Sequence, residues 1–317
     1  MKPAAFEYFD PTSIDEALEL LARFGADAKP LAGGQSLVPL MNFRLAQPKV
    51  LVDLGRVAVL DYIRLDDARL RIGAMTTHAE IEESSMLAAV CPLLPAAARL
   101  VGHAQIRSRG TLGGSVAHAD PAAEWPMVLL ALDAQLRVRG ARGQRSVAAR
   151  DFFVTYLTTV LEADELVTEI ELPIPPVGHG WSVQEITRRH GDFALVAVAA
   201  VVKRGADGSL AQVRLAVGGV GGAPVDASDA AATLLGTRPE PADLEALAQR
   251  VMEMLDPDTD VHAPAEYRRE VAGVLCERAL AEAIERARAF GDQGALRPPG
   301  PPALGPSVVG PSGAEAE

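Results

Sequence analysis

The chain has 317 residues, 49% of them hydrophobic and 23% charged, and a net charge of −12 from 30 basic and 42 acidic side chains. That length predicts two or three subdomains with a sizeable core. The acidic balance, with no basic run interleaved with aromatics, excludes nucleic acid and anionic lipid as natural partners.

Two cysteines, Cys91 and Cys276, lie far apart without a CxxC neighbour, so they cannot by themselves hold an iron–sulfur cluster or a structural zinc. They read as buried free thiols. No window approaches about 18 consecutive apolar residues, which predicts no membrane span. Met1–Phe9 lacks the apolar stretch of a signal peptide, and the expected location is cytoplasmic.

In chain order, Ser13-Ile14-Asp15-Glu16 reads as a capping box opening an amphipathic helix that Gly25 ends. A strand is predicted at Ala28–Leu31, then Gly33-Gly34, a helix near Leu37–Phe43 and a strand at Val50–Leu54. Residues 1–55 thus form a small β–α–β-like lobe. A second lobe over 56–177 is predicted to hold strands at Leu60–Leu65 and Leu70–Ile72 around an Asp66-Asp67 turn. It continues with a Thr77-capped helix to Glu82, a helix over Pro95–Gly102, a glycine loop at Gly110–Ser115, a buried helix at Pro126–Leu132, and strands at Gln135–Arg139 and Leu166–Pro173.

The Pro/Gly-rich segment Pro173–Gly180 marks a boundary. Beyond it, 178–290 reads as a separate α+β domain. Its strands are Leu195–Lys203 and Gln212–Val217, its turn Gly218–Gly222, and its helices Asp229–Leu235, Ala242–Met254 and Ala265–Phe290. Residues 291–317, rich in Pro, Gly, Ala and Ser, are expected to be a disordered tail.

Two segments carry potential chemistry. Ala32-Gly33-Gly34-Gln35-Ser36 sits between a predicted strand and a predicted helix, and Thr111-Leu112-Gly113-Gly114-Ser115 repeats the pattern. Paired glycines let a ligand approach the backbone, converging N–H groups hold an anion, and a helix start adds a favourable dipole. Each pair alone is equally readable as a plain turn, and neither is a G-x-G-x-x-G or Walker motif. On chemistry alone, a nucleotide site and a pair of ordinary turns both remain open.

The same segments carry a family resemblance. Ala32–Ser36, Met41-Asn42-Phe43-Arg44-Leu45-Ala46 and Leu51–Leu54 resemble the FAD-binding medium subunit of the molybdenum hydroxylases, the xanthine dehydrogenase and carbon monoxide dehydrogenase family. So do Gln105-Ile106-Arg107, Thr111–Ser115, Asp120-Pro121, Arg188-Arg189-His190-Gly191-Asp192-Phe193, Gly218–Gly222 with Pro224, and Pro264-Ala265-Glu266-Tyr267-Arg268. The resemblance runs from about Phe6 to Ala289.

The resemblance implies an α+β fold: a two-lobed FAD-binding domain of the vanillyl-alcohol-oxidase-like (PCMH) type, followed by a smaller C-terminal domain with an antiparallel sheet. It implies that Ala32, Gly33, Gly34, Gln35, Ser36, Thr111, Gly113, Gly114 and Ser115 hold the diphosphate of FAD, with Ser115 where the family usually has Asn. Glu124, where Asp is usual, would accept from the ribose hydroxyls; a solvated acid at a helix start is the other reading. His118, Asp120 and Leu166 fall in the same set, and His118 is equally readable as structural. Phe193 would cover one face of the isoalloxazine or else pack in a core. Arg188 and Arg189 read as a solvated pair, a flavin neighbour or a subunit contact.

Where the family often has a lysine, this chain has Gln184-Glu185-Ile186-Thr187. A cation there would stabilise reduced flavin, so its loss, with Glu185 nearby, predicts a lower flavin potential. The implied function is oxidoreductase subunit of a heterotrimer. A large subunit holds the molybdenum-pterin cofactor and oxidises the substrate, a small subunit carries two 2Fe–2S clusters, and this chain passes their electrons through FAD to an external acceptor. A dimer of heterotrimers is expected, and this chain needs no catalytic base, nucleophile or metal of its own. Two other readings stay open: a free-standing FAD-dependent oxidoreductase, and a flavin-less assembly subunit. Carbon monoxide, aldehydes, purines and N-heteroaromatics are all oxidised by relatives, and the choice lies in the large subunit.

Overall fold

A computed structural model describes residues 2–66 and 69–292 and holds three main sheets. The first is parallel, in the order β1-β3-β2, from β1 (Glu7–Phe9), β2 (Ala28–Leu31) and β3 (Val50–Asp53). Between them run α1 (Ile14–Phe24) and α2 (Leu37–Asn42). The Ser13 hydroxyl accepts from the Glu16 N–H at 3.2 Å, as expected of the cap. Glu16, however, reaches past Ser13 to accept from the Thr12 N–H at 2.8 Å. Ala17, Leu18 and Leu21 are buried against β2 and β3 in a small core with Val50, Val52 and Leu54.

The second sheet is antiparallel, in the order β4-β5-β10-β6-β7. Its strands are β4 (Ile63–Asp66), β5 (Arg69–Gly73), β6 (Gln135–Gly140), β7 (Gly143–Ala148) and β10 (Glu165–Pro173). A two-stranded ribbon, β8 (Phe153–Thr155) with β9 (Thr158–Thr159), stands apart. Its helices are α3 (His78–Glu83), α4 (Ser85–Val90), α5 (Leu93–Leu100), α6 (Ala104–Arg107), α7 (Leu112–His118), α8 (Glu124–Ala131) and α9 (Ala149–Phe152). Asp67, expected in the turn between β4 and β5, lies outside the described residues. The segment expected as a Gly110–Ser115 loop is instead a turn running into α7, with both glycines in its first turn.

The third sheet is antiparallel, in the order β11-β12-β13-β14: β11 (Gly180–Thr187), β12 (Ala194–Arg204), β13 (Leu210–Gly218) and β14 (Val225–Asp226). Helices α10 (Ser228–Ala231), α11 (Pro241–Met254) and α12 (Ala265–Asp292) complete it. β12 is buried on both faces, which is why it reads as a continuous apolar run. Val196, Val198, Ala200 and Val202 join the core of α11 and α12, while Ala197, Ala199 and Val201 join the core of the second sheet. The tail expected over 291–317 lies outside the described residues apart from the backbone of Gly291 and Asp292, which ends α12. No described helix is long and apolar enough to cross a membrane.

Every residue of α8 is buried. This helix lies between the second core and the third sheet, sharing one hydrophobic cluster with Ala194, Ala197, Ala199 and Ala216. A second tie is polar. The Gly219 N–H donates to the Pro121 carbonyl at 2.9 Å. Buried Arg268 of α12 donates to the carbonyls of Leu195 at 2.5 Å and Gly219 at 3.1 Å and pairs with Asp260 at 2.8 Å. Arg268→Ala would leave two inward-facing carbonyls without donors, at roughly 1–3 kcal/mol each. Urea unfolding of that variant is expected to show a loss of that order, with Arg268→Lys recovering part of it.

Candidate functional site

The two glycine pairs come together because neither segment has side chains where they meet. A Cβ added to Gly33 would overlap the Arg109 carbonyl oxygen and lie 2.7 Å from the Gly110 Cα. One on Gly114 would lie 3.2 Å from the Ala32 Cβ and 2.8 Å from the Thr111 hydroxyl oxygen, and one on Gly113 would lie 2.5 Å from the Ala74 Cβ. Real Cβ atoms do not approach so closely, so Gly33 sets the fit of the two lobes, and Gly113 the packing of α7 on Ala74 within the second, rather than freeing their own dihedral angles. Gly34 is different: its φ of 73° is a left-handed conformation in which a β-carbon is strained.

The two segments are chemically unequal. Among the described residues, the N–H groups of Gly33, Gly34, Gln35 and Ser36 donate to no protein acceptor. Four successive donors are therefore free at a half-buried surface, the condition for gripping an anion. The Gln35 side chain folds back to donate to the Gly33 carbonyl at 3.0 Å, and α2 is only six residues long, so the donors rather than a helix dipole carry any anion affinity.

In the second segment the N–H groups are already used. Leu112 donates to Thr76 O at 3.0 Å, Gly113 to Ala74 O at 2.9 Å and Ser115 to Thr111 O at 3.0 Å. Gly114 donates to the Thr111 hydroxyl at 3.1 Å, a helix N-cap. The expectation of two equivalent N–H cradles is corrected here: this segment can offer a ligand the hydroxyls of Thr111 and Ser115, but not a nest of free amides.

The acids after the second pair divide in the same way. Asp120 accepts from the Ala122 N–H at 2.9 Å and so closes its own turn, just after Ala119, which holds a left-handed φ of 53° at the end of α7. Glu124, first residue of α8, is only 5% exposed, which rules out the solvated helix-start reading. Among the described side chains none donates to its carboxylate, which its own backbone N–H reaches. Burial and then the nearby Asp120 charge push its pKa up to about 7. His118, half-buried, ends α7.

The last two expected residues are placed very differently. Phe193 is 58% exposed, so the alternative of core packing is excluded. Leu166 is buried among Ala17, Leu18, Val52 and Leu54, a core position that fully accounts for it, and it does not join the glycine pairs.

Sequence reading finds Glu185 only as a departure from the family's lysine and does not bring it to Glu124. It lies on β11, a strand not anticipated, on the face that Val183 turns towards the second core. Its Oε2 is buried without a partner, and burial and then the Glu124 charge push its pKa up to about 8. Two carboxyl groups from different domains therefore lie near enough for the charge of Glu124 to act on Glu185 in a poorly solvated space. No short-range signal could have revealed a pair so far apart in sequence.

Residues 4–175, more than half of the chain, match the family model described as the FAD binding domain in molybdopterin dehydrogenase, and residues 181–283 match the CO dehydrogenase flavoprotein C-terminal domain. The chain belongs to the FAD-binding medium subunits of the molybdenum hydroxylases.

Its similarity to relatives in this family runs nearly end to end. It is 41% identical to the 6-hydroxypseudooxynicotine dehydrogenase complex subunit alpha of Paenarthrobacter nicotinovorans, over 91% of this chain and 97% of that one. It is 38% identical to the carbon monoxide dehydrogenase medium chain of Afipia carboxidovorans, over 91% of this chain and 100% of that one. It superposes on the solved carbon monoxide dehydrogenase of Hydrogenophaga pseudoflava with a TM-score of 0.88 at 37% identity, covering 90% of this chain and 99% of that one. The α+β architecture and the oxidoreductase class anticipated above are those of this family.

The buried acids give the medium subunit a pH signature. With pKa values of about 7 and 8, Glu124 and Glu185 hold protons in the folded chain that the unfolded chain releases above about pH 4.5. Their contribution is most favourable below that pH and is lost as the pH rises through 7 and 8. The thermal midpoint of the flavin-free chain should fall over this range, and Glu124→Gln and Glu185→Gln should each flatten the fall. Variant midpoints that track the wild type at every pH would contradict this.

Proposed function

We propose that this medium subunit carries FAD between its two glycine pairs and serves as the exit for electrons in a cytoplasmic heterotrimer. A small subunit would bring electrons from two 2Fe–2S clusters, a large subunit would hold the molybdenum-pterin cofactor and the oxidisable substrate, and two such trimers would associate. The four free N–H groups of Gly33–Ser36 are the observation that carries this reading. They supply local donors for a diphosphate on a chain of net charge −12, whose overall field would repel one. When bound, the flavin supplies reversible electron transfer. Everything else is the protein's work of holding, orienting and tuning it.

In this reading Ala32, Gly33, Gly34, Gln35 and Ser36 hold the diphosphate mainly through backbone N–H groups, and Thr111, Gly113, Gly114 and Ser115 contribute close packing and hydroxyls. Glu124, with His118 and Asp120 nearby in sequence, is the candidate acceptor for ribose hydroxyls, and exposed Phe193 the candidate cover for the isoalloxazine. The buried unpaired thiols Cys91 and Cys276 support a reducing compartment. Exposed Arg188 and Arg189 suit a subunit contact.

The structure refines the expectation of a lowered flavin potential. With its pKa pushed to about 8, Glu185 is mostly neutral at pH 7. The missing lysine, not an added negative charge, is then the cause. Glu185→Lys should raise the flavin midpoint potential measured by spectroelectrochemistry at pH 7, and Glu185→Gln should barely move it. A large drop on changing Glu185 to Lys would contradict the assignment.

Gly34→Val places a branched side chain at a left-handed position beside the free donors, and Gly114→Val places one between the two segments. Both variants should purify folded by circular dichroism and lose FAD. Full retention of flavin in both would refute the binding site.

A further inference from the structure

Around the two glycine pairs, one buried side chain remains without a task. His78 opens α3, and the Thr77 capping box with Glu80 fixes that start. Its N–H donates to the Gly110 carbonyl at 3.0 Å. The ring is 3% exposed and stacks on Trp125, with centroids 5.7 Å apart.

The indole Nε1–H of Trp125 donates to His78 Nδ1 at 3.1 Å. An indole can only donate, so Nδ1 carries the lone pair and the ring proton sits on Nε2. Burial, and secondarily the Arg107 charge, hold the pKa down to about 4, so the imidazole stays neutral and this bond persists at neutral pH.

The opposite edge of the ring presses on the second segment. A Cβ on Gly110 would lie 2.9 Å from both Cδ2 and Nε2. Gly110 in turn meets Gly33, whose own added Cβ would fall 2.7 Å from the Gly110 Cα. Trp125, His78, Gly110 and Gly33 thus stand in single file, and Trp125 directly follows Glu124.

We propose that His78 is a positioning residue for flavin binding: clamped by Trp125, its ring sets the height of Gly110 and hence the spacing between the two glycine segments. The inference rests on FAD occupying that gap. It differs from core filling because it assigns the ring an effect on ligand affinity beyond its effect on stability.

The test strips FAD from the full 317-residue chain and titrates it back, following the quenching of flavin fluorescence at a temperature where circular dichroism shows every variant folded. His78→Ala should weaken FAD binding by at least about tenfold. Trp125→Phe, which keeps the ring stack but removes the N–H donor, should weaken it in the same direction by about threefold. Leu247→Ala, in the fully buried core of the C-terminal sheet, controls for lost stability and should leave the affinity within about twofold of the wild type. An unchanged affinity in His78→Ala, or a Leu247→Ala effect as large, would overturn the clamp. Should His78→Ala fail to fold, an unchanged affinity in Trp125→Phe overturns it instead. If the wild type takes up FAD and Gly34→Val does not, while the His78 and Trp125 variants bind normally, the clamp alone fails. If the wild type takes up none, the FAD reading fails and the clamp falls with it.

Discussion

The contact on which this structure turns is one of backbone against backbone. Gly33 lies so close to Arg109 and Gly110 that a single added carbon would overlap the main chain. A parallel β–α–β unit and a mixed helix–sheet unit, each with its own core, are brought edge to edge there. With no side chains to space them, the free amides of the first segment lie against the hydroxyl-bearing start of α7. Geometry of this kind is stiff, because close-packed backbone has no rotamers with which to adapt.

The supports of that contact explain why the C-terminal domain belongs to the same machine. α8 is buried on every side because it lies between the second sheet's core and the third sheet, and its first two residues are Glu124 and Trp125. Arg268 fastens the end of the chain to the Gly219 turn, and that turn holds Pro121. A change in the last helix can thus reach Pro121, just ahead of α8, through two hydrogen bonds. The same closure shuts Glu124 and Glu185 away from water, so a chain with a large negative charge keeps Glu185 mostly, and Glu124 about half, protonated at pH 7.

Much of this was legible in sequence where the signal is local. The Ser13 and Thr77 caps, the strand before Gly33 and the long apolar stripe of α12 follow short rules of spacing and hydrogen bonding. β11 is hard to read in sequence, because the alternation of Trp181 and Val183 stops at Glu185 and the other face carries Ser182 and Gln184, which both donate to Glu282 of α12. The start of α7 reads as a loop because glycines are poor helix formers. Long-range bonds from Leu112 and Gly113 to Thr76 and Ala74 override that preference. The inequality of the two glycine segments has the same origin: which N–H groups stay free depends on acceptors nearly 40 residues away.

The central claim is that this chain holds a flavin and works within a molybdenum–iron assembly. It is tested most directly by the visible absorption spectrum and metal content of the chain purified with its partners from the native host. Flavin bands in roughly equal amount to the chain are expected, with iron and molybdenum in the same particle. Folded chain without flavin would contradict it, and flavin without either metal, in an otherwise intact particle, would point to a free-standing flavoenzyme instead.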